Sequence, residues 1–332
     1  MREPGFWWRE PGLTAAALSP LGAIYGAIAG SRMARKGWRA PVPVICVGNF
    51  TLGGSGKTPT VMALAEILAK AGHRPVLLSR GYGGNATTPL MVDRLAHLAA
   101  QVGDEALLLA RAAPTIVAPN RVAGAAAAIQ AGATIIIMDD GLQNPSLTKD
   151  FTVAVVDGVR GIGNSKVFPA GPLRAPMKAQ WSHVDALLVV GETTVMNTLQ
   201  PEAASRGIAC FHGMLKPNGA AVASLQGHKV LAFAGIGNPD KFFTSLEGAS
   251  IAVAERKAFA DHHRYTAEEA AALLMQAEQQ GLELVTTEKD SARMAGEPGL
   301  AALRARARPL PVTLALNDEK TLRDLMVSKA RL

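Results

Sequence analysis

Val42-Pro43-Val44-Ile45-Cys46-Val47-Gly48-Asn49-Phe50 runs directly into Thr51-Leu52-Gly53-Gly54-Ser55-Gly56-Lys57-Thr58, and a helical pattern from Val61 to Ala71 follows. The order is strand, glycine loop, helix. Glycines let backbone N–H groups turn toward a phosphate, and the Lys57 ammonium reaches the β and γ phosphates. The Thr58 hydroxyl suits Mg²⁺, and the helix N-terminus adds positive potential. Residues Thr51, Leu52, Gly53, Gly54, Ser55, Gly56, Lys57 and Thr58 are thus the expected phosphate loop, with Lys57 also neutralising charge during phosphoryl transfer. Thr51 stands where the GxxxxGK[ST] pattern has its first glycine, a departure that Gly53 and Gly54 soften.

Such a loop needs a carboxylate to hold the metal, normally at the end of a buried strand. Thr134-Ile135-Ile136-Ile137-Met138-Asp139-Asp140-Gly141 offers Asp139 and Asp140 in that position. Further strands are expected at Pro75 to Ser79, Thr115 to Ala118, Phe151 to Asp157 and Val184 to Val190, with helices between them such as Arg121 to Ala131. Alternating β and α segments imply an α/β fold with a doubly wound, mostly parallel sheet.

The chain has 332 residues, 48% of them apolar and 18% charged, which is ample for a buried core and excludes disorder. Two cysteines, Cys46 and Cys210, build neither a disulfide scaffold nor a zinc ribbon. The net charge of +7 lies at the ends: residues 1–40 hold six Lys/Arg and two Asp/Glu, residues 301–332 seven and three, and the middle is neutral. From Pro11 to Ser31 no residue is charged; Phe6-Trp7-Trp8 precede this run, and Arg32, Arg35, Lys36 and Arg39 follow it. A basic tract beside an apolar one fits an anionic membrane surface better than nucleic acid, for which no recognition motif is present. Leu13, Ala17, Leu21, Ile24 and Ile28 share one helical face, so an interfacial helix is expected, separate from the phosphate loop; the alternative is a core helix.

Several further strings narrow the reading. They are Gly48 to Pro59, Ser79-Arg80-Gly81-Tyr82-Gly83, Gly103-Asp104-Glu105, Asp139-Asp140-Gly141-Leu142-Gln143 and Pro169-Ala170-Gly171-Pro172-Leu173-Arg174. Beyond these come Gly235-Ile236-Gly237-Asn238-Pro239, Asp261-His262-His263 and Thr286-Thr287-Glu288-Lys289-Asp290. In this order and spacing the chain resembles the tetraacyldisaccharide 4′-kinase family of lipid A biosynthesis along nearly its whole length. The resemblance implies a P-loop kinase-like enzyme at the cytoplasmic face of the bacterial inner membrane, using ATP and Mg²⁺. Its acceptor would be the 4′-hydroxyl of an acylated glucosamine disaccharide 1-phosphate, with no obligate protein partner. In this family Pro-Leu-Arg is often followed by Glu, whereas Ala175 and Pro176 follow Arg174 here, so no role passes to that position.

Asp104 is the best candidate proton acceptor. Read from the residues alone, a helix cap is the stronger reading; the resemblance reverses this and makes the aspartate of Gly-Asp-Glu the catalytic base. The same resemblance matches Asp261-His262, whose imidazole would pair with Asp104 and tune it. Arg80 and Arg174 lie in Gly/Pro-rich loops and are candidates for phosphate contact, the alternative being salt-bridged loop arginines. The expected division is a membrane-associated segment 1–40, a nucleotide domain 41–205, a linker 206–227, and a smaller α/β domain 228–332. A rival function is a membrane-associated P-loop NTPase acting as a switch or accessory protein.

Overall fold

The computed structural model describes residues 3–332. Among the described residues thirteen strands form two sheets, and each label follows chain order. The first six are β1 Val44–Gly48, β2 Pro75–Ser79, β3 Leu90–Met91, β4 Thr115–Val117, β5 Ile135–Asp139 and β6 Phe151–Asp157. The others are β7 Ala186–Val190, β8 Ala209–Pro217, β9 Lys229–Ala234, β10 Ala252–Ala258, β11 Glu283–Thr287, β12 Arg308–Leu310 and β13 Val312–Leu316. The large sheet runs β13-β8-β7-β6-β1-β5-β2-β4-β3. Its seven inner strands are parallel, and its edges, β3 on β4 and β13 on β8, are antiparallel. The small sheet, β10-β9-β11-β12, is parallel throughout.

β1, β2, β5, β6 and β7 are buried at every position, as continuous Val/Ile/Leu runs require when helices cover both faces of a sheet. β1 sits between β5 and β6, so the strand order reverses around it and opens a crevice beyond its carboxyl end, where the phosphate loop begins. The next helix, Lys57–Lys70, buries Val61, Leu64, Ala65 and Leu68 against β1 and its neighbours.

The first helix, α1, spans Leu13–Met33 and contradicts the core-helix alternative. Its small residues face the protein: Ala15, Gly22 and Gly26 are buried, with Gly22 close to the Val167 carbonyl and Gly26 close to Pro176. Leu13, Leu21, Ile24 and Ile28 are all more than half exposed. The helix is long and apolar enough to cross a membrane by length and composition.

The expected domain boundaries are corrected at two places. Segment 206–227, read as a linker, holds β8, which pairs with β7 inside the large sheet. Residues 312–332, read as part of the smaller domain, return to the large one. β13 pairs with β8, and the helix Glu319–Ala330 buries Leu322 and Met326 in the core shared by Leu64, Leu68 and Phe151. The sequence hides this because β8 and β13 are edge-side strands with mixed polarity, and pairing between segments a hundred residues apart leaves no local signature.

Leu322→Ala is expected to cost about 2–4 kcal/mol in urea unfolding, since it empties a fully packed site. Removing residues 312–332 is expected to abolish ATP binding with the large domain's fold. Wild-type ATP binding by that truncated chain would reinstate the sequence-based boundary.

Candidate active site

A cavity of about 800 Å³ lies at the carboxyl ends of the large sheet's strands, between the two domains. Leu52 through Thr58 line it, together with Arg80, Asp139, Asp140, Arg174 and His262. Thr51 stands just behind, buried, where its backbone bridges Leu173. This contact clamps the loop. Leu52 N donates to the Pro172 carbonyl at 2.8 Å, Arg174 N to the Phe50 carbonyl at 2.9 Å, and Arg174 Nε to the Thr51 carbonyl at 2.8 Å. Asn49 sits within the same turn, donating to the Gly53 carbonyl at 3.4 Å. The Ser55 hydroxyl is buried without a partner, which leaves a donor available to a phosphate oxygen.

The two aspartates after β5 differ. Asp140, in a left-handed conformation (φ 51°), takes a forked pair from Arg174 Nη1 at 2.7 and 2.9 Å and lies 3.6 Å from Lys57 Nζ. Burial works against its ionisation, but Lys57 and Arg174 hold it well below the usual carboxylate range. Asp139 is buried at the strand's end, and its Oδ1 has no hydrogen-bond partner. Burial first, then the Glu105 and Asp140 charges, push its pKa up to about 7. Burial lowers the Lys57 pKa, with Asp140 opposing. Arg174, a candidate for phosphate contact, is thus salt-bridged to Asp140, while Arg80 makes no ion pair among the described residues and faces the cavity.

Asp104 is the first residue of the helix Asp104–Leu109, not its cap; the cap is Gly103, at φ 87° against the Tyr82 carbonyl. Its Oδ1 accepts from the Glu105 N–H at 3.0 Å. Its Oδ2 accepts from Arg293 Nε at 2.6 Å and faces His262 Nδ1 at 3.6 Å. The structure therefore brings Asp104 and His262 together across the domain boundary. Although burial raises the Asp104 pKa, His262, Arg293 and Lys289 hold it well below the usual range. Tyr82 covers His262, ring centroids 4.9 Å apart. His263 points elsewhere: it pairs with Glu269 at 2.8 Å and stacks on Phe259, a structural role.

Sequence reasoning missed the seam beneath this site. Lys289 Nζ meets Glu105 at 2.6 Å, Arg111 pairs with Glu288, and Lys241 meets Asp157 at 3.1 Å, each pair joining the two domains. Lys289 and Glu105 stood in quoted strings without a role; Arg293 carried no signal. The structure also ties the N-terminal segment to the phosphate loop, correcting its reading as a separate element. Trp7 O accepts from Asn164 N, and Glu3 pairs with Arg160 at 2.8 Å, setting its carboxylate against Gly53 where no Cβ would fit.

A family model described as "Tetraacyldisaccharide-1-P 4'-kinase" matches residues 14–331. The chain belongs to this family. It is 55% identical over 332 residues to a tetraacyldisaccharide 4'-kinase of Methylobacterium sp. (strain 4-46), covering 100% of this chain and 98% of that one. It is 50% identical to that of Nitrobacter winogradskyi over 98% of this chain and 97% of that protein. Among solved structures, it superposes on the "apo" form LpxK from Aquifex aeolicus in complex with ATP with a TM-score of 0.72 and 26% identity. That match covers 96% of this chain and 99% of the other. The phosphate loop, Asp139-Asp140 and Asp261-His262 thus converge on one cavity.

The His262 pKa is raised above its ordinary value by its contact with Asp104, against partial burial. The stability this pairing contributes is fully present below the unfolded histidine value of about 6.5 and is lost as pH rises through the higher folded value. The stability difference between wild type and His262→Gln, measured by urea unfolding, should be largest near about pH 6 and shrink by about pH 9. A difference independent of pH would mean that the imidazole has the same pKa in the folded and unfolded chain.

Proposed function

We propose that this chain transfers the γ-phosphate of ATP to the 4′-hydroxyl of a tetraacylated glucosamine disaccharide 1-phosphate, and that the groups described above carry the reaction. The observation that carries the reading is the junction, in one cavity, of a phosphate loop from one domain with His262 from the other, its imidazole backed by the buried Asp104. A hydrolytic switch has no need of a proton-handling pair facing an open acceptor space.

The loop amides from Leu52 to Thr58 and the Ser55 hydroxyl bind the phosphates, and Lys57 neutralises charge as it develops on the transferred group. The apolar end of the cavity, with Met62, Leu215, Phe242 and Val312, suits the nucleotide base. Thr58 and Asp139 fit Mg²⁺: the buried Asp139 Oδ1 lacks a protein partner, whereas Asp140 is committed to Arg174 and Lys57. When bound, Mg²⁺ supplies charge neutralisation on the phosphate oxygens. Asp140 then acts through Lys57, which it orients. His262, which lines the cavity, takes the proton of the acceptor hydroxyl, and Asp104 behind it supports the imidazole in place of the base role that the family resemblance implies. Arg80, with its guanidinium in the cavity and no ion pair among the described residues, is the better candidate for a substrate phosphate; Arg174 orders the loop.

α1 places an apolar face outward beside Arg32, Arg35 and Lys36, all exposed, which supports attachment to an anionic membrane at its cytoplasmic face. An acylated substrate would be met there.

Following ATP loss with and without the acylated disaccharide tests the reaction. Consumption should depend on the acceptor, and Lys57→Ala should lower kcat about 100-fold or more. Equal consumption without acceptor would favour the switch. For the membrane, Ile24→Glu with Ile28→Glu should weaken binding to anionic vesicles and leave ATP binding intact, and added salt should weaken the wild type too. Vesicle binding indifferent to both would remove the membrane role of α1.

A further inference from the structure

Arg293 lies in the helix Glu288–Met294 with a side chain only 9% exposed. Its Nε donates to Asp104 Oδ2 at 2.6 Å, and its Nη1 donates to Asp290 Oδ1 and to the Gly235 carbonyl, both at 2.7 Å. Asp290 is fully buried and cannot yield, because it accepts from Tyr265 Oη at 2.9 Å, Thr287 Oγ1 at 2.6 Å and the Gly235 N–H at 3.1 Å. The guanidinium is therefore fixed in position before it meets Asp104. Its Nη2 is buried without a partner. A buried cation with an unsatisfied donor carries a desolvation cost that its bonds to Asp104, Asp290 and the Gly235 carbonyl must offset.

Asp104 is faced by Arg293 and Lys289 from that helix, by His262 from the loop before Tyr265, and by Glu105 from its own helix. Lys289 is committed to Glu105, so Arg293 is the cation bonded to the Asp104 carboxylate itself. Both Arg293 and His262 address Oδ2, the arginine from a full ångström closer. His262 Nδ1 faces Asp104, while Nε2 lies 3.8 Å from Asp261 and is not hydrogen-bonded to it.

We propose that Arg293 is a positioning residue for phosphoryl transfer: it holds Asp104 as a fixed carboxylate, so that the proton leaving the acceptor hydroxyl comes to rest on His262. The inference rests on the reading above, in which Asp104 and His262 handle that proton. In the step, the hydroxyl O–H bond breaks and its proton passes to His262 Nε2. The freed oxygen bonds to the γ-phosphorus, and the bond between that phosphorus and the β–γ bridging oxygen breaks, its electrons leaving with ADP. Asp104, still anionic, stabilises the imidazolium. The directions of the two groups agree: Asp104 is held acidic by its cationic neighbours, and His262 is made more basic by Asp104.

The test is the pH dependence of kcat for the full chain with ATP and the acylated disaccharide, comparing wild type with Arg293→Met, Arg293→Lys and Asp104→Asn. Removing a cation beside the pair raises its apparent pKa, so the acid limb of Arg293→Met should move to higher pH by about one unit. Its kcat near neutrality should fall about tenfold or more, while KM for ATP stays within about threefold. Arg293→Lys should restore the wild-type limb. An unmoved limb in Arg293→Met, or a lysine variant no better than methionine at any pH, would overturn the proposal. If Arg293→Met fails to melt cooperatively, Arg293→Gln takes its place; it removes the cation and keeps a donor for Asp104, and an unmoved limb there overturns the proposal equally. Wild-type kcat in Asp104→Asn would instead remove the underlying pair. An inactive Asp104→Asn beside an unmoved Arg293→Met limb would remove only the role of Arg293.

Discussion

A parallel sheet covered on both faces has one place to put chemistry, the carboxyl ends of its strands, because loops and helix N-termini gather there and nowhere else is backbone free to bind. Everything functional in this chain follows from that constraint. The phosphate loop leaves β1, Asp139 closes β5, Arg80 follows β2, and all of them reach the crevice where strand order reverses. The 104–109 helix enters from the same edge, and the second domain caps it. β8 and β13, continuing the sheet beyond β7, carry the chain out to the small domain and back, so the cap is attached by two strands of the sheet it covers.

Once the crevice is closed by a second domain, its charges lose most of their water, and electrostatic balance decides the arrangement. Asp104, Glu105, Asp139 and Asp140 are answered by Lys57, Arg121, Arg174, Lys289 and Arg293. Most of these pair closely, as in Arg174 with Asp140, Lys289 with Glu105 and Arg293 with Asp104. Asp139 is the exception, because Arg121 spends its hydrogen bonds on the Ala118 and Asp139 carbonyls and leaves the Asp139 Oδ1 bare. The seam that binds the domains is thus the same network that sets the protonation of the site. Stability and proton affinity cannot be varied independently there.

The N-terminal helix solves a packing problem in reverse. A helix on a protein surface normally buries its large residues, whereas α1 buries alanine and glycine and turns Leu21, Ile24 and Ile28 outward. Small residues allow a close approach to the 167–181 segment, and the large ones are left for a second apolar medium. Through Glu3 the segment before α1 lies against Gly53 of the phosphate loop, and through Trp7 it holds the 164–169 turn, so α1 is joined to the nucleotide site by direct contacts.

The sequence by itself determined the nucleotide sheet and its loop, because each rests on a local signal. Buried parallel strands read as unbroken Val/Ile/Leu runs, so Pro75–Ser79 and Phe151–Asp157 were legible to the residue, and glycine spacing before Lys57-Thr58 has few other uses. Asp104 and His262 were legible as candidates through the strings around them. Only the tertiary structure decided that Asp140 is committed to Arg174 while Asp139 is free, that His263 serves Glu269 and Phe259, and that residues 312–332 return to the first domain. It alone brought Arg293 to Asp104, across 189 positions of chain. The physical reason is the same in each case. A backbone conformation is written in neighbours three or four residues apart, whereas the partner of a buried charge is whichever group the fold carries within about 3 Å, and no sequence pattern encodes that distance.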